Sequence, residues 1–85
     1  MSTTKNIKQL LTSVKCLNRF DFSFDFNHDN FTDEINIYFT NSVQCAMMYC
    51  FLHEMLIECT SIFLESRNKI TILVVNHDIC HNIDA

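Results

Sequence analysis

A chain of 85 residues, 48% of them hydrophobic and with a formal net charge of −4, can form one small domain with a core. It contains neither glycine nor proline. This excludes a glycine-rich phosphate loop, a dinucleotide-binding fingerprint and a nucleophile elbow, because each of them needs glycine for a close backbone approach or a tight turn. We therefore expect a single α/β (α+β) domain over residues 1–85.

Charge is sorted along the first half of the chain. Residues 1–19 carry four basic residues and no acidic one. Residues 20–41 carry five acidic residues and no basic one, namely Asp21, Asp25, Asp29, Asp33 and Glu34. Fields of this kind steer association with charged partners, so the sorting favours a binding function over a catalytic one.

The first element is a predicted helix over residues 3–17. Its apolar residues recur at helical spacing: Ile7, Leu10, Leu11, Val14 and Leu17. Ser2, Thr3 or Thr4 could cap its start. Lysines beside such a stripe also suit a helix on an anionic membrane surface. This stripe lacks Trp and Phe, however, and we expect it to pack in the core, with no membrane partner.

A β-hairpin is predicted next. Phe20, Phe22, Phe24 and Phe26 alternate with polar residues, a period of two that indicates a strand. Residues 27–30 supply turn residues, and the loop could extend through residue 33. A second strand follows, with Ile35, Ile37 and Phe39 on one face and Glu34, Asn36, Tyr38 and Thr40 on the other. One face of the hairpin is therefore apolar and the other acidic and polar.

A long helix is predicted over residues 42–66, capped by Asn41 or Ser42. Its sheet-facing residues would be Cys45, Met48, Leu52, Met55, Leu56, Cys59 and Phe63. The opposite stripe would hold Gln44, Glu54, Glu58, Ser61 and Glu65.

A third strand is predicted over residues 70–75, which are β-branched or apolar on both faces, and residues 76–85 are expected to be loop or frayed tail. The element order α-β-β-α-β predicts a two-layer domain with two helices on one face of a three-stranded sheet. A right-handed crossover would make strands two and three parallel and give the sheet order 2-1-3. In that arrangement Leu73 and Val75 lack cover, which a dimer or a partner could supply.

The five cysteines indicate reduced thiols. Their number is odd, and residues 1–5 lead into an amphipathic stretch, which predicts no secretory signal. Cys45, Cys50 and Cys59 fall in the predicted long helix, where they could serve as small buried hydrophobes. We expect a cytoplasmic protein. The longest apolar run, residues 45–52, is too short for a membrane span.

Two surfaces are candidates for binding another protein. On the hairpin, Asp21, Asp25 and Glu34 form an acidic face that disfavours direct nucleic-acid binding and suits a basic partner. The competing interpretation is a solvated face that is charged for solubility. On the long helix, an apolar patch is framed by glutamates; it comprises Met47, Cys50 and Phe51, beside Glu54 and Glu58. The competing interpretations of this patch are a helix rotated by one residue and a core that is wider than the predicted one.

Metal binding is a weaker hypothesis. Cys50 and His53 lie one helical turn apart, and His77, Cys80 and His81 fall within five residues. Thiolate and imidazole ligands suit tetrahedral zinc, but the spacing matches no known finger or ribbon. We expect no cofactor.

Catalysis is weaker still. A Cys–His pair with an orienting carboxylate could be drawn from Cys50 or Cys80, His53 or His77, and Asp78. Nothing in the sequence activates either thiol, and 85 residues leave little room for a substrate cleft. We expect no enzymatic activity.

The sequence as a whole predicts a non-enzymatic acidic module that binds and inhibits another protein. One such role is an immunity protein or antitoxin that neutralises a basic nuclease toxin. The other is a phage or viral inhibitor that imitates nucleic acid. Carboxylates would set the rate of association, and Met47, Phe51 or Tyr38 would supply affinity. The alternative is a self-associating, homodimeric protein, followed by a small zinc-binding domain.

Overall fold

The computed structural model describes residues 3–17, 20–29, 31–55, 61–66 and 68–75. Its elements are α1 (Thr3–Cys16), β1 (Phe22–His28), β2 (Thr32–Phe39), α2 (Ser42–Met55), β3 (Ser61–Ser66) and β4 (Lys69–Val75). In this part of the chain four strands form one antiparallel sheet in the order β1-β2-β4-β3. Residues of both helices share one buried cluster with one face of the sheet. The α+β class is confirmed, whereas the predicted three strands and the order 2-1-3 are wrong.

Helix α1 packs on the sheet as its apolar spacing predicts. Ile7 and Leu11 are fully buried, but Leu17 lies past the end of the helix and is exposed. Thr4, a predicted capping residue, is instead buried inside the helix, and its hydroxyl donates to Asp33 Oδ2 at 2.7 Å. This bond joins the first turn of α1 to β2.

The hairpin has the predicted alternation but is longer at its turn. Its register pairs Phe22 with Phe39 at one end and His28 with Asp33 at the other. Asp33 therefore lies in β2 and not in the loop. The strands continue because His28 and Asp33 face each other and their side chains are within hydrogen-bonding distance.

Helix α2 begins where it was predicted and ends earlier. Asn41 Oδ1 accepts hydrogen bonds from the N–H groups of Val43 (2.8 Å) and Gln44 (3.1 Å), which confirms Asn41 as the cap. Its buried residues are Cys45, Met48 and Leu52, as predicted. Met55 is exposed, contrary to prediction, and Leu56, Glu58 and Cys59 lie outside the described residues.

The predicted helix through residue 66 is wrong, because residues 61–66 form β3. Ile62 pairs with Ile72, so it lies over the core, and Phe63 pairs with Thr71 on the other face. β4 is apolar on both faces, and a second neighbouring strand satisfies its backbone hydrogen-bonding groups. The chain has no glycine or proline to mark the end of α2.

The neighbour of β2 also differs from prediction. β4 pairs antiparallel with β2 along Thr32–Tyr38 and with β3 on its other side. β2 and β3 therefore run in the same direction. The strands before and after the long helix were predicted to be parallel, and in the structure these strands are β2 and β3. β4 folds back between them, so β2 rather than β1 is the inner strand of the hairpin.

Neighbouring methionines on α2 provide a matched test of this packing. Met48 has no exposed surface and Met47 is 56% exposed. We expect Met48→Ala to lower the free energy of unfolding by about 3 kcal/mol, because it leaves a cavity in the core. Met47→Ala removes the same atoms from an exposed site and should cost about 0.5 kcal/mol or less. Urea denaturation of dilute protein measures both, and equal losses would contradict the orientation of α2.

Candidate protein-binding surface

One face of the sheet has no helix on it within the described part of the chain. We call it the outer face. By strand alternation and register, its residues are Ser23, Asp25, Asn27, Thr32, Glu34, Asn36, Tyr38, Ser61, Phe63, Ser66, Lys69, Thr71, Leu73 and Val75. The core lies on the opposite, inner face.

A hydrogen-bonded network crosses the outer face at Asn36. Its Nδ2 donates to Asp25 Oδ1 at 3.2 Å and to Glu34 Oε2 at 2.8 Å. Its Oδ1 lies 2.8 Å from the hydroxyl of Thr71 on the next strand. Asn36 and Thr71 are both buried although no helix covers them, because the surrounding side chains close over them. The amide of Asn36 thus holds two carboxylates in fixed positions.

A third carboxylate joins this network from β3. Glu65 occupies the irregularity between Leu64 and Ser66, and its Oε2 lies 2.9 Å from the Thr71 hydroxyl and 3.1 Å from Lys69 Nζ. These contacts lower the pKa of the Glu65 carboxyl, with the Thr71 bond the larger cause. The hydrogen bond to the Glu65 carboxylate in turn raises the pKa of the Lys69 ammonium group. Lys69 therefore places a positive charge on the outer face. The absence of basic residues noted in the sequence applies to the two hairpin strands and not to the whole face.

Tyr38 connects the network to the surface. Its hydroxyl donates to Asp25 Oδ2 at 2.9 Å, and this bond to a carboxylate raises the pKa of the phenol. Lys69 Nζ lies 5.7 Å from the centre of its ring. Tyr38 is still 39% exposed, so its ring is available at the surface.

The outer face also has an apolar side. Phe63 is 44% exposed and Val75 is 46% exposed, and Leu73 between them is half-buried. They lie on β3 and β4, whereas Asp25 and Glu34 lie on β1 and β2. Carboxylates on one side and apolar groups on the other give this face both components of a protein interface.

The predicted acidic residues are only partly together. Asp25, Glu34 and Tyr38 share the outer face. Asp21 lies at its margin, before β1, where its Oδ2 accepts from Thr40 at 3.1 Å and its N–H donates to Gln44 of α2 at 2.9 Å.

Asp33 lies on the inner face, close to α1. Partial burial opposes its charge, but the hydrogen bonds from Thr4 and His28 outweigh burial and lower the pKa of the carboxyl. Asp33 therefore supports the packing of α1 and adds nothing to the acidic surface.

The predicted residues on the long helix lie on the far side of the molecule. Because Cys45, Met48 and Leu52 face the core, the opposite side of α2 points away from the sheet. This side, which we call the α2 stripe, exposes Val43, Met47, Phe51 and Met55. Glu54 is exposed beside it, and Glu58 lies outside the described residues. The three residues of the predicted apolar patch, Met47, Cys50 and Phe51, are all exposed. They lie on a helix over the inner face of the sheet, whereas Tyr38 lies on the outer face.

Three described cysteines are free thiols. Cys45 is buried, and burial raises its thiol pKa, which disfavours reactivity. Cys50 is exposed, which agrees with its place in the predicted apolar patch and not with the alternative role of a buried hydrophobe. Among the described residues no group of three or more His, Cys, Asp or Glu could hold a metal ion. His77, Asp78, Cys80 and His81 lie outside these residues, so the zinc and Cys–His hypotheses stay predictions.

Sequence reasoning missed two residues of the outer face. Glu65 of the network and the exposed Phe63 both fall in the range predicted as helix, so neither was expected on the sheet surface. Asn36 was placed on the outer face but was not identified as the residue that joins Asp25, Glu34 and Thr71. Ile62 and Phe63 are the only β-forming residues in 61–66, too weak a signal to separate a strand from a helix.

No family model, curated protein or solved structure matches this chain. None of the helices in its described residues is long and apolar enough to cross a bilayer.

Replacing Asn36 tests the network. Asn36→Asp removes both donor bonds and places a new buried carboxyl against Asp25 and Glu34, so we expect a loss of about 2–3 kcal/mol at neutral pH. Repulsion raises the pKa of the new carboxyl in the folded state, so the loss should shrink as the pH falls toward about 4.5. Urea denaturation at both pH values measures this.

Thr71→Val is the matched control. It removes a neutral hydroxyl from the same network and should cost about 1 kcal/mol at neutral pH. Because this hydroxyl lowers the pKa of the Glu65 carboxyl, a small part of that loss should also disappear as the pH falls. A pH-independent loss for Asn36→Asp would contradict the close approach of the carboxylates.

Proposed function

We propose that the chain is a non-enzymatic binding module whose outer face docks onto a basic surface of another protein. The supporting observation is the Asn36 network, which fixes Asp25 and Glu34 on a sheet face that no described helix covers. Preorganised carboxylates lose little conformational freedom on binding, which favours association. Exposed lysines are the complementary groups on the partner.

Two groups of residues on the outer face would have different roles in binding. Asp25, Glu34 and Asp21 at the margin would steer a cationic partner and raise the association rate. Tyr38 and Phe63 would pack against the partner and slow dissociation, since exposed aromatic side chains are typical interface anchors. These two residues replace Met47 and Phe51 as the affinity residues of this surface.

Two biological roles fit this chemistry. An immunity protein or antitoxin would use the outer face to block the cationic cleft of a nuclease toxin. A phage or viral inhibitor would use the same carboxylates to imitate nucleic-acid phosphates on a host protein. Both roles place the chain in the cytoplasm, and neither requires catalysis, a cofactor or direct nucleic-acid binding.

The test begins with native mass spectrometry of the chain isolated from its own host, which identifies a co-purifying basic protein. Its association rate is then measured with wild type and with the Asp21→Asn, Asp25→Asn, Glu34→Gln triple variant. We expect the triple variant to associate about tenfold more slowly at low salt, and the difference to shrink at high salt.

Glu34→Gln and Glu54→Gln form the matched pair for this experiment. Both remove one carboxylate by the same chemistry, but Glu54 lies beside the α2 stripe on the far side of the molecule. Only Glu34→Gln should slow association. Equal effects, or an unaltered rate for the triple variant at low salt, would refute the proposed role of the outer face.

Self-association is the second candidate function, and the α2 stripe favours it. Val43, Met47, Phe51 and Met55 form a row of exposed apolar side chains along a helix with one carboxylate, Glu54, and no lysine or arginine. Burying such a row against a second copy removes apolar area from water.

Sedimentation of the chain alone tests this candidate. A dimer should be present at high concentration, and its melting temperature should rise with protein concentration. Met47→Glu should convert it to monomer without unfolding it, because Met47 contributes little to the core. A monomer at all concentrations would refute self-association through α2.

A further inference from the structure

The backbone beneath the outer face is already paired. β2 has β1 and β4 as neighbours, and β4 has β2 and β3, so both central strands are hydrogen-bonded along both edges. A partner segment lying across them therefore contacts side chains and must satisfy its own N–H and C=O groups. An α-helix does so internally, and this sheet already packs two helices on its inner face. The outer face thus suits a helix better than an added strand.

The apolar side of the outer face lies directly beside its carboxylates. Leu73 on β4 is half-buried, and Val75 and Phe63 next to it are exposed. Leu73 pairs with Glu34 in the sheet register, so the two side chains are separated by one strand spacing, about 5 Å. The seven residues of β4 extend about 20 Å, which is the length of a helix of about 14 residues. One helix along β4 can therefore reach both groups.

The outer face stays negative after its own lysine is counted. Among the described residues it carries three carboxylates, Asp25, Glu34 and Glu65, and one ammonium group, Lys69, which leaves two negative charges. Lys69 is 3.1 Å from Glu65, and its charge also acts on Glu34. The hydrogen bonds on Asp25 and Glu34 come from neutral groups, which leave both carboxylates charged. The excess negative charge therefore lies on the β1 and β2 side.

We propose that the partner presents a basic amphipathic α-helix, which lies on the outer face as a third layer. Its apolar stripe packs against Phe63, Leu73 and Val75. Lysine or arginine residues on the flank of that stripe lie over Asp25 and Glu34, where positive charge is favoured. A second copy of the chain is not the occupant, because its outer face carries the same negative excess. This inference rests on the proposed function and specifies the part of the partner that binds.

The experiment is an NMR titration with a capped helical peptide of about 15 residues, with leucines along one stripe and lysines on its flanks. We expect saturable binding, with shifts at the methyl groups of Leu73 and Val75 and none at the Met47 methyl on α2. Two control peptides carry one change each. In one, two central prolines break the helix; in the other, glutamate replaces every lysine. Each control should bind at least about tenfold more weakly.

Two matched pairs of protein variants locate the site. Phe63→Ala should weaken binding of the helical peptide about fivefold, whereas Phe51→Ala removes the same ring from the exposed side of α2 and should not alter it. Glu34→Gln should weaken binding about fivefold at low salt, whereas Glu54→Gln should not. Thermal melting confirms that each variant is folded.

The outcomes separate this inference from the proposed function. Equal binding of the helical and proline peptides, shifts at Met47 in place of Leu73, or no binding of the helical peptide would overturn the inference. The proposed function would survive each of these results, because it requires a basic surface and not a helix. An unaltered association rate of the host partner with the triple variant would instead refute the outer face itself, and the helix with it.

Discussion

The alternation of β2 is the constraint on which the rest of the structure depends. Ile35 and Ile37 are fully buried under the helices, and Asn36 between them is buried on the other face by its own hydrogen-bonded neighbours. A slip of one residue would place Asn36 in the core without its partners and expose both isoleucines. The same strand thus fixes the core, the register of β1 and β4, and the positions of the outer carboxylates.

The sorting of charge along the sequence becomes in part a sorting of charge in space. α1 lies over β1, and the alternation of β1 sends Asp25 to the outer face while Phe24 and Phe26 remain on the helix side. The edge of β1 is therefore the line where the acidic face of the sheet meets the lysines of α1. Asp25 bonds to Asn36 and Tyr38 on the outer face, whereas Lys8 contacts Phe26 on the helix side, where the Asp33 carboxylate also lies.

The sequence predicts most strongly the elements that have one apolar face. The period of two in residues 20–26 and the helical spacing of Ile7 and Leu11 gave the hairpin and α1, and Asn41 gave the start of α2. The end of α2 was not predictable in the same way, because residues 61–66 fit an amphipathic helix as well as a strand. Pairing with β4, a tertiary contact, decides between them. The contacts of Asn36 and Glu65 with Thr71 depend on the pairing of β4 with its two neighbours. The sequence alone could not predict them for the same reason.

Position decides how the two surfaces can act together. The outer face lies on one side of the sheet, and α2 with its exposed apolar stripe lies over the other side. A partner on the outer face therefore leaves α2 exposed, and dimerisation through α2 leaves the carboxylates accessible.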